Sequence, residues 1–196
     1  MIQQRLEQRL VDALASNGSA SSDFDLNADI ALPAGRRLTN AAVLVGIDTK
    51  SQSVLLTKRS PRLRHHPGQI AFPGGKQDQT DVDLAAAALR EAKEEVGLPD
   101  GAVKILGSLP SHETVTGFQV TPFVALVEDF KKVAEAGEVA EIFNVPLEHV
   151  RQTKNYRIEA RVWQGKSRKY YVVPYGPYYI WGATARILYG LATRFQ

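Results

Sequence analysis

The stretch from Pro73 to Leu98 restricts this chain more than any other. Pro73-Gly74-Gly75 is a bend at which backbone can come close to another group, because glycine has no Cβ. From Asp83 to Val96 the residues Leu84, Ala85, Ala88, Leu89, Ala92 and Val96 recur at helical spacing, and Gly97 stops the run. The spacing predicts a helix with one buried stripe. On that helix Glu91, Glu94 and Glu95 stand at i, i+3 and i+4, within a wedge roughly 100° wide beside the stripe. Like charges so placed repel by roughly 0.2–0.5 kcal/mol per pair, and a hard cation among them removes the repulsion. Mg²⁺ is the natural occupant, since it takes a few carboxylates and completes its shell with water and phosphate oxygens. A bare Glu-x-x-Glu-Glu is usually a solvated acidic face, and the adjoining glycines by themselves are as readily an ordinary turn as a ligand site.

Around this unit the patterning alternates strands and helices. Ala41–Ile47 and Ser53–Thr57 are β-favouring runs separated by Asp48-Thr49-Lys50-Ser51 and read as a hairpin. Further strands are predicted near Gln69–Phe72, Val103–Leu106, Val120–Val127, Tyr156–Trp163 and Tyr170–Val173, and a last helix over Trp181–Thr193. Ile2, Leu6, Leu10, Ala13 and Leu14 predict an amphipathic helix over residues 2 to 15, which packs on the domain or on a partner, a second copy in a homodimer included. Ser16 to Asp23 has the composition of a flexible connector, with extended chain resuming before Pro33. The division expected is therefore 1–36 for helix and connector and 37–196 for the catalytic domain. Interspersed strands and helices indicate an α/β protein, a mixed sheet covered by helices in an α/β/α layering.

Composition removes several alternatives. The chain has no cysteine, which excludes disulfides, thiolate nucleophiles and cysteine-ligated zinc. With 44% hydrophobic and 23% charged residues it has the make-up of a soluble globular protein, and 196 residues suit one domain with a terminal appendage. No run approaches the roughly 18 apolar residues of a membrane span. Neither a signal-peptide core after Met1 nor a peroxisomal tripeptide at Gln196 is present, so a cytoplasmic protein without a membrane partner is expected. A net charge of +3, with no aromatics interleaved in the basic cluster, gives no ground for a nucleic-acid partner. That cluster, Lys58, Arg59, Arg62, Arg64, His65 and His66, precedes an acidic stretch from Asp78 to Asp100. The pairing suits a polyanionic small ligand held with a metal, while a solvated basic loop is the plainer account of the charges alone.

Taken together, Gly75, Arg90, Glu91, Glu94, Glu95, Gly97 and Leu98 resemble the Nudix box, the strand-loop-helix motif of a family of diphosphate hydrolases. The resemblance implies a Nudix fold, with Mg²⁺ (or Mn²⁺) bound by Glu91, Glu94 and Glu95, Gly74 and Gly75 against the substrate, and Arg90 orienting the glutamates. One departure stands out. Where the usual box carries Glu, this chain has Asp81, and the loop from there to Arg90 is one residue longer. The role of Asp81 is therefore open, whereas the mutual spacing of the helix ligands is unchanged.

Upstream, Leu55-Leu56-Thr57, Arg59-Ser60, Arg64, Gly68 and Phe72-Pro73-Gly74-Gly75 are similar to the signature of the coenzyme A branch of that family, and every fixed position is met. The longer loop after Gly75 and the segment Ile180–Ala185 resemble that branch too. This resemblance implies a nucleotide substrate, coenzyme A or a derivative, cut at its diphosphate to 4′-phosphopantetheine and adenosine 3′,5′-bisphosphate. Arg59 and Arg64 would contact its phosphates, and Arg90, Glu94 and Glu138 form the catalytic set, Glu138 resembling the further acid that the branch brings from outside the box. The general base stays open between Glu138 and a box glutamate, and a surface helix start explains the acids near Glu138 equally well. Strand-end salt bridging is the plain alternative for Arg59 and Arg64. His65 and His66 are phosphate contacts or loop residues, His112 a structural or loop residue, and Trp181 a core residue at the start of the last helix. Two other functions compete: a Nudix enzyme for ADP-ribose, NADH or dinucleoside polyphosphates, and a Nudix domain that senses nucleotides without catalysis.

Overall fold

Alternation of period two through Thr39–Asp48 organises the molecule: Ala41, Val45 and Ile47 face one side of the strand, Ala42 and Leu44 the other. Both faces are apolar, so this strand must lie inside a sheet covered on both sides. The computed structural model, which describes residues 2–16, 18–30, 35–163 and 165–195, places it there. In chain order the elements are α1 (Ile2–Ala15), β1 (Ser21–Ser22), β2 (Thr39–Asp48), β3 (Ser53–Arg59), β4 (Ile70–Ala71), β5 (Gly74–Lys76), α2 (Leu84–Val96), β6 (Val103–Ser108) and β7 (His112–Glu113). There follow β8 (Phe118–Val127), β9 (Val139–Pro146), α3 (Leu147–Val150), β10 (Arg157–Trp163), β11 (Lys166–Tyr175), β12 (Tyr178–Trp181) and α4 (Ala183–Ala192).

The main sheet is mixed. β2 runs parallel to β8 along its whole length, and β1 runs parallel to β7, while the other pairings are antiparallel. On its other edge β2 is shared. Only Ile47 and Asp48 pair with β3, so the expected hairpin exists but is short, and Ala41–Val43 pair with Gly74–Lys76 of β5. The divergence of β2 from β3 opens the slot that β5 fills. The residues read as a bend from sequence, Gly74 and Gly75, are thus part of a short strand, a pairing between distant segments (Ala42 with Gly75) that no local propensity announces.

α2 covers one face, where Ala87, Ala88, Ala92 and Val96 pack on Ala42, Leu44, Leu55, Ala125 and Val127. Its ends are those the sequence predicts: the Asp83 carboxylate accepts the Ala86 N–H at 2.7 Å, and Gly97 closes the helix at φ 71°. The opposite face is covered by α1, α3 and α4 through Leu6, Leu10, Leu147, Val150, Leu188 and Leu191. The architecture is the expected α/β/α sandwich. α1 belongs to this core, with Leu10 fully buried; the side chain of Ile2 lies outside the described residues.

β10, β11 and β12 form a separate antiparallel sheet. Residues 23–30 turn rather than extend, and the buried Asn27 side chain bonds both backbone groups of Lys169 in β11 at 2.8 and 3.0 Å; Pro33 and its neighbours at 31–34 lie outside the described residues. His112 is fully buried, its ring nitrogens 2.9 Å from Ser21 Oγ and 3.1 Å from Asp23 Oδ1, which ties β1 to β7. Two further expectations are corrected. The segment after Glu138 is strand β9, paired with β3, because its apolar residues alternate (Val139, Phe143, Val145) instead of recurring at helical spacing. Trp181 ends β12 rather than opening α4, since Gly182 at φ 67° breaks the run; its half-buried ring meets Tyr170 edge-on at 5.3 Å. No helix among the described residues is long and apolar enough to cross a membrane.

Candidate active site

The site lies where β5 leads into the loop before α2. Gly74 is required there by backbone, and Gly75 leaves room for the Glu91 carboxylate. A Cβ on Gly74 would stand 2.4 Å from the Ala42 carbonyl oxygen, and one on Gly75 would stand 2.5 Å from the carboxylate carbon of Glu91. Pairing of β5 with β2 thus brings its backbone against the carboxylates of α2.

Those carboxylates occupy three environments. Glu95, three residues after Ala92 and seven after Ala88, lies on the buried stripe itself and is only 4% exposed. Among the described residues its carboxylate has one hydrogen bond, accepted from the Gly74 N–H at 3.2 Å. Burial pushes its pKa up to about 7, the charges of Glu91 and Glu138 adding to the effect, while the Gly74 N–H and the Arg59 charge oppose it. Glu91 is half-buried and raised in the same direction, chiefly by burial and then by Glu94 and Glu138, against the pull of Arg90. Glu94 has a side chain 58% exposed and turns toward Arg90 at 3.4 Å.

Arg90 joins loop and helix. Its guanidinium donates to both Asp81 oxygens at 3.0 Å, to Glu91 at 2.9 Å and to the Lys76 carbonyl at 3.1 Å. Asp81 also accepts the Asp78 N–H at 2.8 Å, and the Arg90 bonds, more than that N–H, hold its carboxyl below the usual range. This answers the question left by the altered loop: Asp81 is the anchor of Arg90, and the added residue is absorbed without disturbing the fork.

From the upstream basic segment, Arg59 and Arg64 differ: the charge of Arg59 is felt at Glu95 and that of Arg64 is not among those acting there. Arg59 acts on Glu95, and its Nε is buried without a hydrogen-bond partner. Arg64 is exposed on the loop and is not among the charges acting on Glu91 or Glu95. His65 and His66 are both exposed; His66, with φ 54°, has its pKa lowered by partial desolvation and then by the Arg59 and His65 charges. Glu138 arrives at the start of β9 with its side chain exposed and its charge felt by both Glu91 and Glu95. Two residues that sequence reasoning passed over fix it. The Glu135 carboxylate accepts the N–H groups of Gly137 and Glu138 at 2.8 and 2.7 Å, and the buried Ser60 donates its N–H to the Glu138 carbonyl at 2.7 Å. The signal for Ser60 was its place beside Arg59 in the upstream signature; Glu135 carried none.

The donor chemistry fits a hard cation: three carboxylates, one of them buried with a single hydrogen bond, against a strand that carries no Cβ at Gly75. As the side chains stand, no three His, Asp or Glu residues among those described are gathered closely enough to hold an ion, and Glu94 faces Arg90 at 3.4 Å.

Paired glycines at a strand end, an Asp-anchored loop and an acidic helix beneath a mixed sheet are the parts of a Nudix domain, and the NUDIX domain model matches residues 37–164. The chain belongs to the Nudix family of hydrolases. It is 44% identical over 154 residues to a protein of Enterobacter sp. (strain 638) named "Uncharacterized Nudix hydrolase NudL", covering 78% of this chain and 80% of that one. The protein of the same name from Klebsiella pneumoniae is 46% identical over the same coverage. Among solved structures, the MutT protein of Methanosarcina mazei aligns over 60% of this chain and 83% of its own, with 24% identity and a TM-score of 0.49.

Proposed function

We propose that this Nudix hydrolase cuts the diphosphate of coenzyme A or its derivatives, releasing 4′-phosphopantetheine (or its acyl form) and adenosine 3′,5′-bisphosphate. The observation that carries the reading is Arg59: a guanidinium from the upstream signature, whose charge acts on Glu95, has its Nε buried and unpartnered. A buried donor without a partner is unfavourable by roughly 1–3 kcal/mol, which a phosphate oxygen would relieve. Coenzyme A carries a 3′-phosphate besides its diphosphate, so a site with guanidinium groups beyond the box suits it. Arg64, exposed nearby, serves as the outer contact in this reading.

Glu91, Glu94 and Glu95 would hold the ion, Mg²⁺ or Mn²⁺, which when bound supplies Lewis acidity to phosphate oxygens and a more acidic water. Within the protein, the Gly74 N–H fixes the Glu95 carboxylate, and the Asp81–Arg90 fork keeps Glu91 facing β5. Arg59 neutralises charge on the phosphate. Glu138, held by Glu135 and Ser60, is the exposed carboxylate best placed to take a proton from the attacking water.

Incubation with Mg²⁺ and a panel of coenzyme A, ADP-ribose, NADH and dinucleoside polyphosphates, followed by chromatography, tests the substrate. Coenzyme A should be the preferred compound, and Arg59→Gln should raise its KM about tenfold or more with a smaller effect on kcat. Robust ADP-ribose cleavage with coenzyme A untouched would remove the assignment.

A further inference from the structure

On the face of the main sheet opposite α2, a cavity of about 420 Å³ lies between α4, Ser16, the chain from Gly18 to Ala20 and the segment at Leu109 and Pro110. It shares no lining residue with the carboxylate site. Two arginines line it, Arg186 and Arg194, and among the described residues no acid does. Both point at one place. A Cβ built on Gly190 would stand 3.6 Å from Nη1 of each arginine, so the two nitrogens are at most about 7 Å apart. Arg194 spends a donor on the Gly190 carbonyl, and Arg186 lies 5.5 Å over the Tyr171 ring and 3.9 Å from the half-exposed Asp25. The Nε of Arg186 is buried with no partner. Two guanidiniums held together in a partly buried place repel one another, and burial with the Arg186 charge lowers the pKa of Arg194 accordingly.

We infer that this cavity is a second anion site, in which Arg186 and Arg194 clasp the phosphate group of a phosphorylated small molecule across the gap left by Gly190. A phosphate bonded at about 2.8 Å to each of two nitrogens spans a gap of this size, and it removes the repulsion between them. Leu109, Pro110 and Ile187 supply an apolar wall for the rest of the molecule. The occupant is independent of whichever diphosphate is cut on the other face.

Calorimetric titration of inorganic phosphate, and separately of a nucleoside monophosphate, into the full chain with chelator present tests this. One saturable site is expected, and Arg194→Gln should weaken it at least about tenfold, the loss of a charge-assisted bond. Gly190→Ala keeps both charges and favours the helix, yet sets a methyl in contact with both Nη1 atoms at 3.6 Å, so it should weaken binding, by less than Arg194→Gln, while the protein stays folded. Arg59→Gln should leave this site unchanged. Saturation by phosphate itself identifies free phosphate as sufficient; saturation by the monophosphate alone identifies an ester. Absence of saturation by either probe up to about 10 mM, or binding equal to wild type in Arg194→Gln and Gly190→Ala, would overturn the inference.

Discussion

Glu95→Gln separates the stability of this fold from its chemistry. The unfolded carboxyl titrates at 4.5 and the folded one at about 7, because burial outweighs the Gly74 N–H and the Arg59 charge. Between those pH values the folded chain keeps a proton that the unfolded chain has lost, so stability falls as pH rises from about 4.5 to about 7 and then levels off. At about 1.4 kcal/mol per pH unit, the ionised carboxylate lowers the stability of the metal-free protein at pH 8 by up to about 3 kcal/mol. Glutamine retains an oxygen for the Gly74 N–H and carries no charge. In urea titrations with chelator, Glu95→Gln should therefore be the more stable protein at pH 8, by up to about 3 kcal/mol, with the difference vanishing toward pH 4.5. Mg²⁺ should stabilise wild type at pH 8, by about 2.7 kcal/mol at a hundred times its Kd, and leave the variant unmoved. Turnover of the variant should drop at least about a hundredfold. Equal stabilities at pH 8 would refute the buried, uncompensated carboxylate, and equal stabilisation of both proteins by Mg²⁺ would refute Glu95 as a ligand.

Two other substitutions probe the frame of the site. Gly75→Ala meets only the movable end of Glu91, so the melting temperature should stay within a few degrees while turnover falls about tenfold or more; Gly74→Ala meets the Ala42 backbone and should lose roughly 1–3 kcal/mol in urea unfolding. Leu10→Ala should destabilise the whole domain by about 2–5 kcal/mol in a single cooperative transition, and a loss below about 1 kcal/mol would show that α1 unfolds apart from the sheet.

What the sequence determined by itself is local and periodic. The i, i+3, i+4 spacing put Glu91, Glu94 and Glu95 on one side of α2, Asp83 and Gly97 marked its ends, and apolar β-favouring runs marked β2, β3 and β8, because these signals act locally without reference to the rest of the chain. Tertiary structure decided the rest. Only the parting of β2 from β3 makes a strand of Gly74–Lys76, only the pairing of β9 with β3 carries Glu138 to α2, and only the packing of α2 on the sheet buries Glu95 while leaving Glu94 in water. Arg59 and Arg64, equivalent as letters in one basic run, part for the same reason: one sits at the end of a paired strand and the other on an exposed loop. Contacts between distant segments follow from how sheet edges and buried faces fit together, and that fit is a property of the whole chain rather than of any window along it.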